Sequence, residues 1–417
     1  MTPTSPVFYR RDDCRLCGSR SLELVFQLAP SPIGDAFISA ERLNEPQELY
    51  PIDLFLCRGC GLAQLRDVID PAILYRDYLY STQSSEGLTT HFQNYVDDVM
   101  ARGVFRAGSL AVDLGSNDGV LLRFFKNRGL RVLGIDPANE IAHQATLSGI
   151  ETLPLFFTKE IGLRLRQERG PAAVLTANNM FANVDNLVDL TEGIRSLLDP
   201  AGIFVMESYY LPDVMRNMVF DFIYHEHISS FSVKPLRDFF YRHGLELIDV
   251  VKVPTKGGSV RYYVQHRGGQ RAVSPTVEAL IAEETALGVF GPEVYQKFAK
   301  KVDHEKEILH SVLQGLKKSN GSIAGFGACI TGTTLMSHFG IGSSIDYIVD
   351  DNPAKQGLFS PGWHLPVFPA NVLYERRPSH VILLAWRYST SILRKHARFL
   401  KEGGHFIVME MPGIKIL

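Results

Sequence analysis

The stretch Val112-Asp113-Leu114-Gly115-Ser116-Asn117-Asp118-Gly119 decides the reading of the fold. An apolar run from Ser109 ends in an acidic residue and a glycine, and Val120-Leu-Leu-Arg-Phe-Phe beyond the second glycine has helical period. That is a strand, a tight turn and a helix. Glycines at such a turn let a ligand approach the backbone closely, and the helix N-terminus faces an anionic group. The spacing is not G-x-G-x-x-G, so this is not a dinucleotide fingerprint. Leu130-Arg-Val-Leu-Gly-Ile-Asp136 reads as the next strand, and its terminal carboxylate can accept both hydroxyls of a ribose. The bland alternative is an α/β domain whose glycines merely serve tight turns.

Outward from this stretch the α/β rhythm continues. Ala172-Ala-Val-Leu-Thr-Ala is a short apolar strand that ends at Asn178 and Asn179, a helix follows near 188–198, and Gly202-Ile-Phe-Val-Met-Glu207 is another strand. Leu245-Glu-Leu-Ile-Asp-Val-Val and Val260-Arg-Tyr-Tyr-Val-Gln read as a closing antiparallel pair. Strands alternating with helices imply a parallel sheet covered on both faces. A helical stretch over 275–318 leads to a second α/β unit. That unit opens with Ile323-Ala-Gly325-Phe-Gly327 and ends with His405-Phe-Ile-Val-Met-Glu410. Three domains follow: 1–70, 71–270 and 271–417.

The first of them carries Cys14-Arg-Leu-Cys17-Gly18 and Cys57-Arg-Gly-Cys60-Gly61, which use four of the five cysteines. Two such knuckles facing each other offer four thiolates to one tetrahedral Zn²⁺, a closed structural site that does no chemistry. The 39 residues between the pairs exceed ribbon spacing and predict a small insert. A redox reading needs only one CxxC at a helix start, and a disulfide reading needs an oxidising compartment, for which the N-terminal residues show no apolar signal segment. Residues 1–70 are too few to fold without the metal. The lone Cys329 and the metal-type spacing of the others fit a reducing cytoplasm.

Composition excludes more than it selects. The 417 residues are 45% hydrophobic and 21% charged, with a formal net charge of −2. That is ordinary globular composition with no basic stripe for nucleic acid. No apolar run approaches the ~18 residues that span a bilayer.

Phe222-Ile-Tyr224-His225-Glu226-His227 concentrates hydrogen-bonding and ionisable groups after the fifth strand. A histidine can take a proton from carbon when the carbanion is stabilised, and a tyrosine or carboxylate can orient or polarise its partner. A metal site is disfavoured, because adjacent residues point in different directions. A packed, hydrogen-bonded loop is the other reading.

Taken in order, these pieces resemble a family. Asp113-x-Gly115-x-x-x-Gly119 matches the glycine loop of class I S-adenosylmethionine (SAM) methyltransferases. With the twin CxxCG knuckles come Ala177-Asn178-Asn179, Tyr224-His225-Glu226-His227, Lys256-Gly-Gly-Ser259-x-Arg261, Gly325-x-Gly327-Ala328 and Asp350-Asp-Asn-Pro-Ala-Lys-Gln-Gly357. The set resembles the SAM-dependent C-methyltransferases that act on nucleotide-linked keto-deoxysugars in antibiotic sugar biosynthesis, over nearly the whole chain. The resemblance implies a zinc-binding N-terminal domain, a Rossmann-like methyltransferase domain and a second Rossmann-like C-terminal domain, with the sugar nucleotide between the last two. It implies a monomer or weak homo-oligomer.

By the same resemblance His227 is the base, with Tyr224, Glu226, Tyr78 (or Tyr80) and Asn183 around the reacting sugar. SAM falls to Asp113, Gly115, Asn117, Asp118, Gly119, Asp136, Asn178 and Asn179, and the substrate to Lys256, Ser259 and Arg261. Asn183 stands where family members carry a histidine, and an asparagine cannot shuttle a proton. The expected reaction removes C3–H next to a C4 ketone and methylates the enolate. An O- or N-methyltransferase, a non-catalytic sugar-nucleotide binder and an NAD oxidoreductase built on Gly325-x-Gly327 are the rivals.

Overall fold

The computed structural model describes residues 7–75, 87–103, 105–410 and 412–417. Its largest sheet has seven strands, in the spatial order Leu245–Val253, Ser259–His266, Leu198–Tyr209, Ala172–Asn178, Leu110–Leu114, Arg131–Ile135, Thr152–Leu153. Six run in one direction, and Ser259–His266 alone is reversed, antiparallel to both Leu198–Tyr209 and the edge strand Leu245–Val253. Strand order reverses between Leu110–Leu114 and Ala172–Asn178, so the carboxyl ends of these two strands open the crevice where such sheets bind ligands. Leu110–Leu114 is buried throughout, as a central strand covered on both faces must be.

The second sheet has six strands, in the order Val367–Pro369, Tyr347–Asp350, Ile323–Phe326, His380–Leu383, His405–Met409, Ile414–Ile416, parallel except for the last. Two helices precede it, Pro275–Leu287 and Pro292–Lys318, where the sequence reads as one helical stretch. Gly288 in the left-handed conformation ends the first, and Pro292 sits in the first turn of the second.

The N-terminal module is a small antiparallel sheet whose outer strand comes from elsewhere in the chain. Ser229–Ser230, two residues past His227, pairs with Ala63–Leu65, which pairs with Leu54–Cys57 and then Leu22–Phe26. The insert between the knuckles crosses to the C-terminal domain. Ile38 bridges Phe359, Thr333 donates to the Gly34 carbonyl at 2.9 Å, and the Gly362 amide donates to Gln47 at 2.7 Å. The zinc module therefore touches both larger domains. Among the described residues, no helix is long and apolar enough to cross a membrane.

Candidate active site and zinc centre

The sulfurs of Cys14, Cys17, Cys57 and Cys60 all lie within 4.8 Å of one another. Cys14 and Cys60 are 3.5 Å apart, as are Cys17 and Cys57. A disulfide needs about 2.05 Å, whereas four sulfurs each ~2.3 Å from one ion sit roughly 3.8 Å apart. The donor set fits Zn²⁺. Between the first two ligands, Arg15 is fully buried and reaches outward. Its Nη1 donates to the carbonyls of Leu65 at 2.6 Å and Ile228 at 3.1 Å, and its Nε pairs with Asp185 at 2.8 Å. The metal knuckle thus grips the backbone beside His227.

A cavity of about 340 Å³ opens at the switch point, lined by Gly115, Asn117, Asp136, Asn179, Phe156 and Met180 among others. A side chain at Gly115 (φ +72°) would place its Cβ 2.9 Å from Met180, so glycine keeps this wall open. Asn117, Asn179 and Lys256 also hold positive φ, a conformation that costs non-glycine residues and concentrates at functional sites. Both Asp136 oxygens accept backbone N–H groups, from Asn117 at 2.8 Å and Ala138 at 2.9 Å. Burial still raises its pKa against those bonds. Each oxygen keeps a lone pair for a hydroxyl. Among the described residues, the buried side-chain atoms of Asn178 have no hydrogen-bond partner. The cavity's volume, glycine wall and acidic rim fit SAM.

Not every residue expected at the cofactor reaches this wall. Asp113 is buried in the sheet, where burial pushes its pKa up to about 7 and Thr176 donates to it at 2.6 Å. Gly119 caps the helix Val120–Asn127 in the left-handed conformation, and Asp118 accepts from the Val120 amide at 3.4 Å. These residues, with Asn178, stand behind the cavity lining.

A second cavity, of about 490 Å³, shares Leu88, Asn179, Asn183 and Lys256 with the first. Tyr224, Glu226 and His227 line it, and so do His91, Asp35, Lys355 and Arg387 from other parts of the chain. Tyr78 and Tyr80 lie outside the described residues. Tyr75, which ends the preceding helical turn, lines the first cavity and accepts a hydrogen bond from Asn183 Nδ2 at 3.1 Å. Of the substrate residues expected, only Lys256 lines the cavity. Ser259 donates to the Thr255 carbonyl at 3.0 Å, and Arg261 forks onto Glu207 at 3.1 and 3.0 Å. Both strand side chains are thus committed to partners within the chain.

The Tyr224–His227 run is buried, and its groups diverge. His225 turns toward the zinc module, with Nε2 3.3 Å from the Tyr50 carbonyl, and burial lowers its pKa to about 4. His227 Nδ1 lies 2.9 Å from the Phe222 carbonyl and so must carry the proton. Nε2 is then the acceptor for the Tyr224 hydroxyl, 2.9 Å away. Tyr209 stacks on the imidazole at 4.7 Å. Burial, with Lys256 next, pushes His227 down to about 3, so the ring is neutral. Burial, with Asp35 next, pushes Glu226 up to about 8 against Lys256 and Lys355. Two neighbours displaced in opposite directions give one proton donor and one acceptor at neutral pH. Burial also lowers Lys256, to about 8.

Comparison with known proteins agrees in all three parts. The family model "C-methyltransferase C-terminal domain" matches residues 254–412, "Methyltransferase domain" matches 90–250, and "Putative zinc binding domain" matches 14–75. The C-methyltransferase NovU of Streptomyces niveus is 32% identical over 398 residues, covering 95% of each chain. Among solved structures, the SAH-bound magnesium protoporphyrin IX methyltransferase of Synechocystis PCC 6803 is 14% identical, covering 46% of this chain and 90% of that one with a TM-score of 0.35. A SAM-dependent methyltransferase from Anabaena variabilis is 17% identical, covering 41% and 84% with a TM-score of 0.34. The chain belongs to the C-methyltransferase family and is a SAM-dependent methyltransferase with a four-cysteine zinc centre.

Proposed function

We propose that this C-methyltransferase methylates the carbon next to the ketone, C3, of a nucleotide-linked 4-keto-deoxysugar, by way of an enolate. One observation carries the reading. On the wall of the second cavity, a single loop offers a carboxylic acid held protonated by burial and an imidazole held neutral beside a tyrosine. Proton loss from carbon needs such a pair, and methylation of a hydroxyl or amine does not.

His227 is the base. Its Nδ1–H bond to the Phe222 carbonyl fixes the ring, and Nε2 takes the proton either directly or through the Tyr224 hydroxyl bonded to it. Glu226, as a neutral acid, and Lys256 stand where charge gathers on the oxygen of the enolate, and burial strengthens both. Asn183 holds Tyr75 at the junction rather than moving a proton. SAM supplies, when bound, an electrophilic methyl that the nucleophilic carbon takes as S-adenosylhomocysteine leaves. Asp136, Gly115, Asn117 and Asn179 hold it, with Asp113, Asp118, Gly119 and Asn178 shaping the turns behind them. Zn²⁺ on Cys14, Cys17, Cys57 and Cys60 is structural.

The rest of the substrate has room beyond Arg387. A groove of about 890 Å³ shares Gly257, Pro254 and Arg387 with the second cavity and runs between the central and C-terminal domains. It supports a nucleotide as the substrate's handle. The division into domains 1–70, 71–270 and 271–417 and a cytoplasmic setting, which suits four reduced thiolates, belong to the same reading. So does a monomer or weak homo-oligomer with no nucleic-acid partner.

The test is substitution of His227. His227→Asn should keep SAM and sugar-nucleotide binding and lower turnover by about 10²–10⁴-fold, with a parallel loss of C–H exchange into deuterated water. Tyr224→Phe should lose less. If His227→Asn methylates normally, the carbanion route from this loop is wrong, and an O-methyl product found by NMR would replace it.

A further inference from the structure

Leu88, Asn179, Asn183 and Lys256 border both the cofactor cavity and the substrate cavity, so they form the rim that a methyl group must cross. Lys256 is the one charged residue among them. Its backbone puts it there, at φ +54° between two glycines and Thr255, which donates to Glu207 at 3.1 Å. The other charges around this point are spoken for. Arg387 is fixed by Asp221 at 2.9 Å, Lys355 pairs with Asp35, and Glu207 is held by Arg261 and His91. Burial keeps Glu226 protonated and His227 neutral. On the cofactor side Asp185 pairs with Arg15 and Arg11, while Asp136 and Asp189 accept backbone amides. Among the described residues, the Lys256 ammonium has no ion-pair or hydrogen-bond partner and feels its neighbours only through space. Burial lowers it to about 8, with Glu207 and Glu226 opposing the fall and Arg387 adding to it.

We propose that Lys256 senses the charge of the cofactor: it gives its proton to solvent when the sulfonium of SAM comes to the rim, and keeps it when SAH, neutral at sulfur, binds in the same place. Two positive charges across a desolvated rim repel far more than they would in water. Of the cations facing this point, Lys256 is the one able to shed its charge near neutral pH, since an arginine keeps its proton and Lys355 is bound to Asp35. Glu226 could answer the same field by ionising, so it is the rival source of a proton. Binding that expels a proton tightens as pH rises and levels off above the pKa of the group that loses it. SAM alone is therefore held more loosely at pH 7 than its contacts allow, until a negative charge arrives. The enolate supplies one. It forms between the sulfonium and Lys256, and Lys256 takes a proton back from solvent. That return step rests on the enolate reading, whereas the sensing of SAM does not.

Calorimetric titration of the zinc-loaded full chain with SAM and with SAH, each in two buffers of different ionisation enthalpy, counts the protons released. SAH carries the same amine and carboxylate as SAM, so it controls for the ligand's own titration. At pH 7 SAM should release more than about half a proton and SAH close to none. SAM affinity should rise by up to about tenfold between pH 7 and 8 and level off above, while SAH affinity stays flat. Lys256→Met should abolish the release and bind SAM up to about tenfold more tightly than the wild type at pH 7, with SAH affinity unchanged. Glu226→Gln should keep the release. No release from the wild type, equal release with SAM and SAH, or a release that survives Lys256→Met overturns the proposal. So does a release lost in Glu226→Gln, which would make that carboxyl the source. The wild-type comparison of SAM with SAH needs no variant, so it stands even if Lys256→Met does not fold. Failure of the enolate reading looks different: wild-type protein would bind the sugar nucleotide without exchanging any C–H.

Discussion

Arg15→Met tests whether the zinc knuckle holds the reacting loop. The substitution keeps most of the side chain's volume and leaves all four cysteines in place, so it removes the contacts without removing the metal. Three interactions vanish: donation to the carbonyls of Leu65 and Ile228, and the ion pair with Asp185. Breaking a fully buried pair costs about 3–5 kcal/mol, because the partner left behind is still desolvated. Here Asp185 keeps Arg11 and Tyr9, so the lower end applies, about 3 kcal/mol. The amide to watch is Leu65, which donates to the Ile228 carbonyl at 2.9 Å and so reports the junction between the zinc sheet and the loop. A 3 kcal/mol loss would speed its native-state hydrogen exchange by about 10²-fold, while amides of the C-terminal sheet hold their rates. Turnover should fall with SAM affinity and zinc content unchanged, since Asp136 and the cysteines are untouched. Unchanged Leu65 exchange in a variant that has lost activity would refute the coupling.

Other outcomes follow from single contacts. Asp136→Asn keeps the shape but exchanges a charged acceptor for a neutral one, so SAM binding measured by calorimetry should weaken by about tenfold, with zinc content unchanged. Unchanged affinity would move the ribose site elsewhere. Glu226 is pushed up to about 8, mainly by burial, and acts as a protonated donor. Turnover should therefore be flat through neutrality and fall as pH rises past about 8. Asp35 raises Glu226 and pairs with Lys355. Asp35→Asn removes that repulsion and leaves Lys355 to pull Glu226 down, so the alkaline limb should move to lower pH. A limb that stays or moves up contradicts the protonated-donor role. Cys57→Ser should yield protein with little zinc by metal analysis and loss of folded signal by circular dichroism, because metal binding and folding are one event in such a module. A folded, metal-free variant would make the centre dispensable.

What the sequence disclosed divides by distance along the chain. The strand, turn and helix at Asp113–Gly119 are set by neighbouring residues, and so is each CxxCG knuckle, so both are legible locally. Gly288 and Pro292 carried the same kind of signal and mark the break inside the 275–318 stretch. Along Lys256-Gly-Gly-Ser-Val-Arg261, one motif spans a turn and a strand. The turn residue Lys256 lines the cavity, while on the strand Ser259 donates to the Thr255 carbonyl and Arg261 pairs with Glu207. A motif's letters do not say on which side of a sheet they fall. That depends on register, which the pairing of Ser259–His266 with Leu198–Tyr209 decides.

Long-range pairings were beyond such reading, and they build most of the reacting centre. His91 and Glu207 are 116 residues apart in sequence and meet because the helix before the first central strand packs over the fifth. Arg387 enters from the C-terminal sheet, fixed by Asp221 at 2.9 Å, while Asp35 and Lys355 bring the zinc insert and the second Rossmann-like domain to one wall. These groups bear on one another electrically across a desolvated cavity: Asp35 raises Glu226, while Lys256 depresses His227. The protonation states that make an acid and a base of adjacent residues are thus set by charges from all three domains. A substitution at Asp35 in the zinc insert should reach the chemistry by that field, without touching the metal ligands. The local sequence around Tyr224–His227 names the groups, and the assembled fold decides which of them holds a proton.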